Sequence, residues 1–301
     1  MKRGRTMRLG RAVTGGSALA VAVTAGASGA AAGEFPARET AWLGAPGATS
    51  VGVFNPLTHV PRAGVELSTY PLFGLLVPNA AARFHLFSAV DEPVTLVLET
   101  GLSLPGGVFT VAPPFGLQGY LTPSCKVERT EPGRAPEDCD RPGTFLVPTV
   151  GLAASHGHET VVTARLDFAP GLLVDGERAP PRDTWAPLDL LFAPVFNQWR
   201  AHLGLRADHR LLGFLRLAGE AHVYRVAAGP PPVRSPWTLV GHVGTDWRTT
   251  PHTRLTLGAS YWNSDQRRIV AIEDNDGYSR FEHVRSHDFG PTLDFIWSWG
   301  G

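Results

Sequence analysis

Cysteine is nearly absent from this chain: Cys125 and Cys139 are the only two in 301 residues. Two thiols fall short of the all-cysteine cage of a structural zinc site. Long apolar runs are also missing. From residue 33 to the end nothing approaches the ~18 apolar residues that a membrane helix needs. A mean hydropathy of −0.03, with 34 Gly and 26 Pro, is too polar for a helical membrane protein. Excess positive charge is lacking, since 27 Lys and Arg face 27 Asp and Glu, and this argues against a nucleic-acid footprint. There is no G-x-S-x-G elbow and no H-E-x-x-H. No repeat of solenoid length and no second domain is visible. The sequence therefore assigns no catalytic residue, no metal ligand and no cofactor, and the chain is expected not to be an enzyme.

What the chain does have begins with an export signal. Lys2, Arg3, Arg5, Arg8 and Arg11 form a basic n-region, an Ala/Val/Gly run follows to Ala32, and small residues suit cleavage after Ala27, where Ala25-Gly26-Ala27 fits, or after Ala32. Residues 1–32 read as a Sec-type signal peptide, 33–48 as a leader and 49–301 as one domain. The signal holds five of the basic residues and none of the acidic ones, which leaves 22 against 27, or net about −5. In an oxidising export compartment Cys125 and Cys139 close a loop of about 15 residues, worth roughly 3 kcal/mol in the chain-entropy model.

The organising stretch is the last one, residues 287–299. Leu293, Phe295, Trp297 and Trp299 share one face of an extended chain, while Thr292, Asp294 and Ser298 share the other. The same alternation runs back through 254–262, 237–247, 211–224, 199–206, 160–168, 144–153, 93–101, 80–88, 63–70 and 49–55. A weaker strand falls at 115–121, and 185–206 reads as one long strand bent near Pro194. The connections at 207–210 and 248–253 are short, whereas those at 225–236 and 263–286 are long. Within the latter, 268–272 and 278–284 read as strand extensions around Asp274-Asn275-Asp276-Gly277, a tight hairpin turn.

On these residues the chain resembles bacterial outer-membrane β-barrel proteins, whose final strand alternates in this way and ends in an aromatic residue. The resemblance covers residues 49–299. It implies an all-β fold, an antiparallel up-and-down transmembrane barrel, placed in the outer membrane by an assembly machinery that reads the C-terminal strand. Counting strands gives about 12, within 10–14, with both termini and the short turns at the periplasmic end and the cysteine loop outside. Outer-membrane lipid is the expected surrounding, and a monomer the expected state.

In such a barrel the polar row points inward. That row comprises Arg83, His85, Glu99, Arg165, Asp167, Arg200, His202, Arg206, Arg216, Glu220, His222, His242, Asp246, Arg254 and Asp294. Paired charges that fill a narrow lumen are one reading of it. A path for small polar or anionic solutes is another. Trp199, Trp237, Trp247, Tyr261, Phe295, Trp297 and Trp299 stand where a membrane interface places aromatics. The leading function is a non-enzymatic envelope protein, structural or a narrow channel. The alternatives are a lipid-modifying hydrolase or acyltransferase, for which Ser155, His156, His158, Glu220 and His222 are candidates, and a secreted soluble β-sandwich that binds a ligand. Glu273, Asp274 and Asp276 do not match the spacing of an EF-hand.

Overall fold

A computed structural model describes residues 37–74, 77–89, 93–105, 143–176, 186–227, 236–273 and 279–300. The signal region, Cys125, Cys139, the expected strand at 115–121 and the turn at 274–277 lie outside them.

The strands are β1 (Thr49–Gly52), β2 (Leu57–Arg62), β3 (Val65–Thr69), β4 (Asn79–Ser88), β5 (Val94–Ser103), β6 (Thr144–His156), β7 (Thr160–Pro170), β8 (Leu172–Asp175), β9 (Trp199–Leu212), β10 (Leu215–Val226), β11 (Trp237–Thr250), β12 (Thr253–Glu273) and β13 (Ser279–Trp299). All of them except β8 form one antiparallel sheet, in which β7 neighbours β9. The sheet closes because β1 pairs with β13, Thr49 opposite Trp299, and β5 pairs with β6. The result is a closed barrel of 12 strands, and β8 continues β7 along the start of β6.

Closure sorts the alternating rows. On β9 the residues Leu203, 57% exposed, and Leu205 face out, while His202, Arg206 and Asp208 are buried inside. An ionised interior under an exposed apolar wall is the inverse of a water-soluble protein and fits a hydrocarbon surrounding. Trp237 and Trp247, both exposed, bracket one face of β11. Ten residues separate them, about 33 Å along the strand and roughly 25 Å along the axis at a tilt of ~40°, the height of a barrel's apolar band. Trp297 and Trp299 are exposed near the end of β13. No second sheet covers these rings among the described residues, so the soluble sandwich is excluded.

The connections follow the expected rhythm. Short turns after β2, β4, β6, β9 and β11 share an end with Thr49 and Trp299, and the strand ends at Ser103, Thr144, Pro170, Trp199, Val226 and Trp237 lie at the other. Beyond Asn263, β12 leaves β11 and stays paired with β13 out to Glu273 opposite Ser279, so the two form a projecting ribbon.

Two expectations are corrected. The count of 12 agrees through compensation: residues 49–70 form three strands where the alternation suggested two, and β5 pairs directly with β6. In addition, 186–197 is not strand but the helix α2 (Ala186–Asn197), which follows the short helix α1 (Pro71–Gly74). Phe192, Val195 and Phe196 have helical spacing and are buried against Val77, Phe145, Val147 and Ala169, inside the long-connection end of the barrel. Pro194 lacks the N–H that would bond the Leu190 carbonyl, and Arg200 Nη1 donates to that carbonyl instead, at 3.0 Å. Gly171 admits the helix, since a Cβ there would lie 1.9 Å from the Pro194 carbonyl oxygen.

Candidate functional site

The segment before β1 does not hang free. It enters the lumen at the short-turn end and crosses it as a strap. The Ala41 amide donates to Ser155 Oγ of β6 at 2.6 Å, and Arg83 of β4 bonds the Thr40 carbonyl. On the far wall Arg38 reaches Asp246 of β11 at 3.2 Å and Asn55 at 2.7 Å. Ala41 and Leu43 pack on Val97 and Ala153.

Below and beside the strap the inward charges are tightly paired. Arg216 and Asp208, 2% and 1% exposed, are bonded to each other, and Asp208 also takes Arg206 Nη2 at 3.2 Å. Asp246 lies between Arg38 and Arg254, the latter at 3.6 Å. Asp294 accepts the amides of Val53 (2.8 Å) and Phe54 (3.1 Å), together with the Asn55 side chain. Arg83 bridges Glu66 at 3.0 Å and Glu99 at 2.9 Å, and Glu99 also holds Arg165 at 3.0 Å. His85 bonds Ser88 at 2.7 Å, and His242 bonds Ser260 at 2.8 Å.

Above the strap, β7, β9 and β10 bring together a different group. Asp167 Oδ2 lies 2.5 Å from His202 Nδ1, His202 Nε2 lies 3.0 Å from His222 Nδ1, and His222 Nε2 lies 3.0 Å from Glu220 Oε2. The register makes this possible: His222 stands opposite Gly204, which has no side chain to part the two imidazoles. Tyr224 stacks on His202 at 4.4 Å, and Arg200 sits 5.7 Å from the Tyr224 ring. Arg200 also pairs with Asp167 at 3.6 Å, and Arg206 bonds Glu220.

His202 Nε2 and His222 Nδ1 face each other, with a carboxylate at the outer nitrogen of each imidazole. Asp167, the two imidazoles and Glu220 form a chain along which a proton can move.

Glu39 of the strap floors this chamber, 3.4 Å from Arg38 and 3.7 Å from Arg206. Its side chain is 39% exposed. Burial alone would raise its pKa. The charges of Arg206, Arg38, Arg165 and His222 outweigh that and hold it at about 2. Tyr70, from the connection before α1, is within electrostatic reach of Glu39, Arg165 and Glu99. Burial first, and then the Glu39 charge, hold its hydroxyl above the usual range.

Several candidates do not converge. Ser155 spends its hydroxyl on the Ala41 amide and on Thr163 at 2.7 Å, while His156 and His158 are exposed beside the turn. The described residues contain no cluster suited to a metal, and the side chains of Glu273, Asp274 and Asp276 lie outside them. Sequence reading missed Glu66 and Asp208, whose alternation carried the signal, and Arg38 and Glu39, whose segment has no strand pattern at all.

No family model and no curated protein matches the sequence. Among solved structures, the chain is similar to the outer-membrane expressed OmpT of Vibrio cholerae, with 7% identity and a TM-score of 0.41, over 81% of this chain and 64% of that one. An in-vitro folded trimer form of the same protein gives 7% and 0.39, over 83% and 64%. The outer membrane protease OmpT of Escherichia coli gives 7% and 0.24, over 84% and 92%. This chain thus spans 64% of the length of the Vibrio proteins. The expectation that the chain is not an enzyme is corrected at this point, because the similar structures include an enzyme.

Proposed function

We propose that this outer-membrane barrel is a hydrolase whose chemistry takes place inside the lumen, on the side of the strap that faces the long connections. The observation that carries the proposal is the unbroken chain Asp167–His202–His222–Glu220. Asp167 Oδ1 is buried without a hydrogen-bond partner and is the acceptor that remains open on the chain. A water molecule gives its proton to Asp167 Oδ1 while its oxygen attacks an ester or amide carbonyl. As the acyl bond breaks, Asp167 returns that proton to the leaving group, while the two imidazoles and Glu220 hold the Asp167 carboxylate in place. The Arg200 guanidinium, whose Nε lacks a partner, stabilises the developing oxyanion.

A chamber walled by ionised groups suits a polar substrate that enters from the long-connection end rather than an acyl tail lying in the bilayer. A solute channel needs a continuous opening, whereas the strap crosses this lumen at one end and α2 occupies the other. The test is hydrolysis of ester and peptide reporter substrates by the folded protein in micelles. His202→Gln and His222→Gln should lower the rate by about 10²–10⁴-fold. Rates that the two substitutions leave unchanged would overturn the reading, as would a folded protein that cleaves none of the reporters.

A further inference from the structure

Arg206 is 7% exposed, and its Nη atoms are taken by Glu220 and Asp208, yet its Nε has no hydrogen-bond partner. Arg165 Nε is 3.0 Å from Glu99 Oε2 as an ion pair, but is also without an aligned hydrogen bond. Buried donors left unmade are rare and ask for a reason. Arg206 is 3.7 Å from the Glu39 carboxylate, and Arg165 is among the charges that act on it. Glu39 also differs in kind from the other lumen carboxylates. It is on the strap and not on a strand, and it has φ of +55°, a left-handed conformation that costs a non-glycine residue energy and persists where its surroundings hold it.

We infer that the floor of the chamber is a binding site for an anionic group, a carboxylate or phosphate-type oxyanion, held by Arg165 and Arg206, and that Glu39 is the chain's own occupant of that site. The guanidinium fork matches the planar or tetrahedral oxygens of such a group. Arg206 bonds Glu220, and Glu220 bonds His222, so an anion held there anchors a substrate beside the proton chain. The strap carboxylate fills the place until an anion with better geometry displaces it. Calling that anion part of a substrate rests on the hydrolytic reading, whereas the binding itself does not.

The experiment uses inorganic phosphate as the probe, followed by calorimetry and by phosphate-dependent thermal stability of the folded full-length protein in micelles. Glu39→Gln, which keeps the shape and removes the charge, should bind phosphate at least tenfold more tightly than the unmodified protein. Adding Arg206→Gln should abolish that gain. Heat-modifiable gel mobility shows which variants are folded, and if Glu39→Gln does not fold, Glu39→Asp takes its place with an expected gain of a few fold. A folded variant that binds phosphate no better than the unmodified protein overturns the inference, as does a gain that survives Arg206→Gln. Phosphate binding without hydrolysis would count against the hydrolase alone, and hydrolysis lost in His222→Gln without phosphate binding would count against the anion site alone.

Discussion

Gly204→Ala tests the proton chain with one methyl group. A Cβ at this position would stand 2.8 Å from His222 Nδ1 and 3.0 Å from His202 Nε2, the two atoms that face each other at 3.0 Å. Ordinary contact begins at 3.4 Å, so the nitrogens must retreat by roughly 0.6 and 0.4 Å, past the ~3.2 Å limit of a good N–H···N bond. Losing a buried hydrogen bond costs about 1–3 kcal/mol. Overpacking typically costs about 1–3 kcal/mol, and since the two overlap here, we expect about 3 kcal/mol in urea unfolding. The imidazole nitrogen spectrum should lose the signature of the hydrogen bond between the two rings, and hydrolysis should fall at least tenfold. The control is Gly219→Ala on β10, where a Cβ meets nothing within 4 Å and the change should be neutral. If Gly204→Ala matches the control in stability and keeps that hydrogen-bond signal, the chain as described does not exist.

Three further outcomes follow from the same contacts. Arg216→Gln leaves Asp208, 1% exposed, with Arg206 as its remaining partner and should cost about 1.5–3 kcal/mol; the double change with Asp208→Asn should cost less than the sum of the two single changes, and simple additivity would mean the pair is not coupled. Glu39 titrates from about 2 rather than its ordinary 4.5, so its contribution to stability is full above pH 4.5 and is lost as pH falls towards 2. Glu39→Gln should flatten that part of the profile, and an unchanged acid limb would show that the strap carboxylate is not held by its arginines. Leu205→Arg puts a charge on the exposed outer wall and should cost about 2–4 kcal/mol for folding into vesicles if hydrocarbon covers that face near its midplane; a neutral result would place the residue in water.

The architecture was legible wherever a residue's face followed from a period of two. Trp297 and Trp299 outward, Asp294 inward, and the alternation of short and long connections needed only that rule. What it could not convey was whether an apolar stretch was strand or helix. Residues 186–197 hold Leu188, Leu191, Phe192, Val195 and Phe196, a spacing that fits helix, but Pro194 and the polar strand that follows made them look like a bent extension. The strap was invisible for a different reason. Residues 37–43 gain their order from partners far away in sequence, Ser155, Arg83 and Asp246, and no local pattern records such contacts. The hydrogen-bonded chain lay between these cases: its four residues were each placed inward, but their joining depends on register, which brings His222 opposite Gly204.

The distribution of unmade hydrogen bonds bears on the proposal that the lumen takes something in and does more than neutralise its own charges. Packing for neutrality alone gives no reason for unsatisfied atoms to gather. Among the described residues, the buried side-chain atoms without hydrogen-bond partners are Arg165 Nε, Asp167 Oδ1, Arg200 Nε, Arg206 Nε and Asp246 Oδ2. The first four surround the chamber of β7 and β9, and only Asp246 lies beneath the strap, where Arg38 and Arg254 flank it. Below, Arg216, Asp208 and Asp294 are bonded to the strands and turns around them. Half of the lumen is thus closed upon itself, and the half that holds the two imidazoles keeps the Arg200 and Arg206 Nε donors and the Asp167 Oδ1 acceptor without hydrogen bonds. Each unmet donor costs free energy, and a substrate that brings both a carbonyl and an anionic group would satisfy them together.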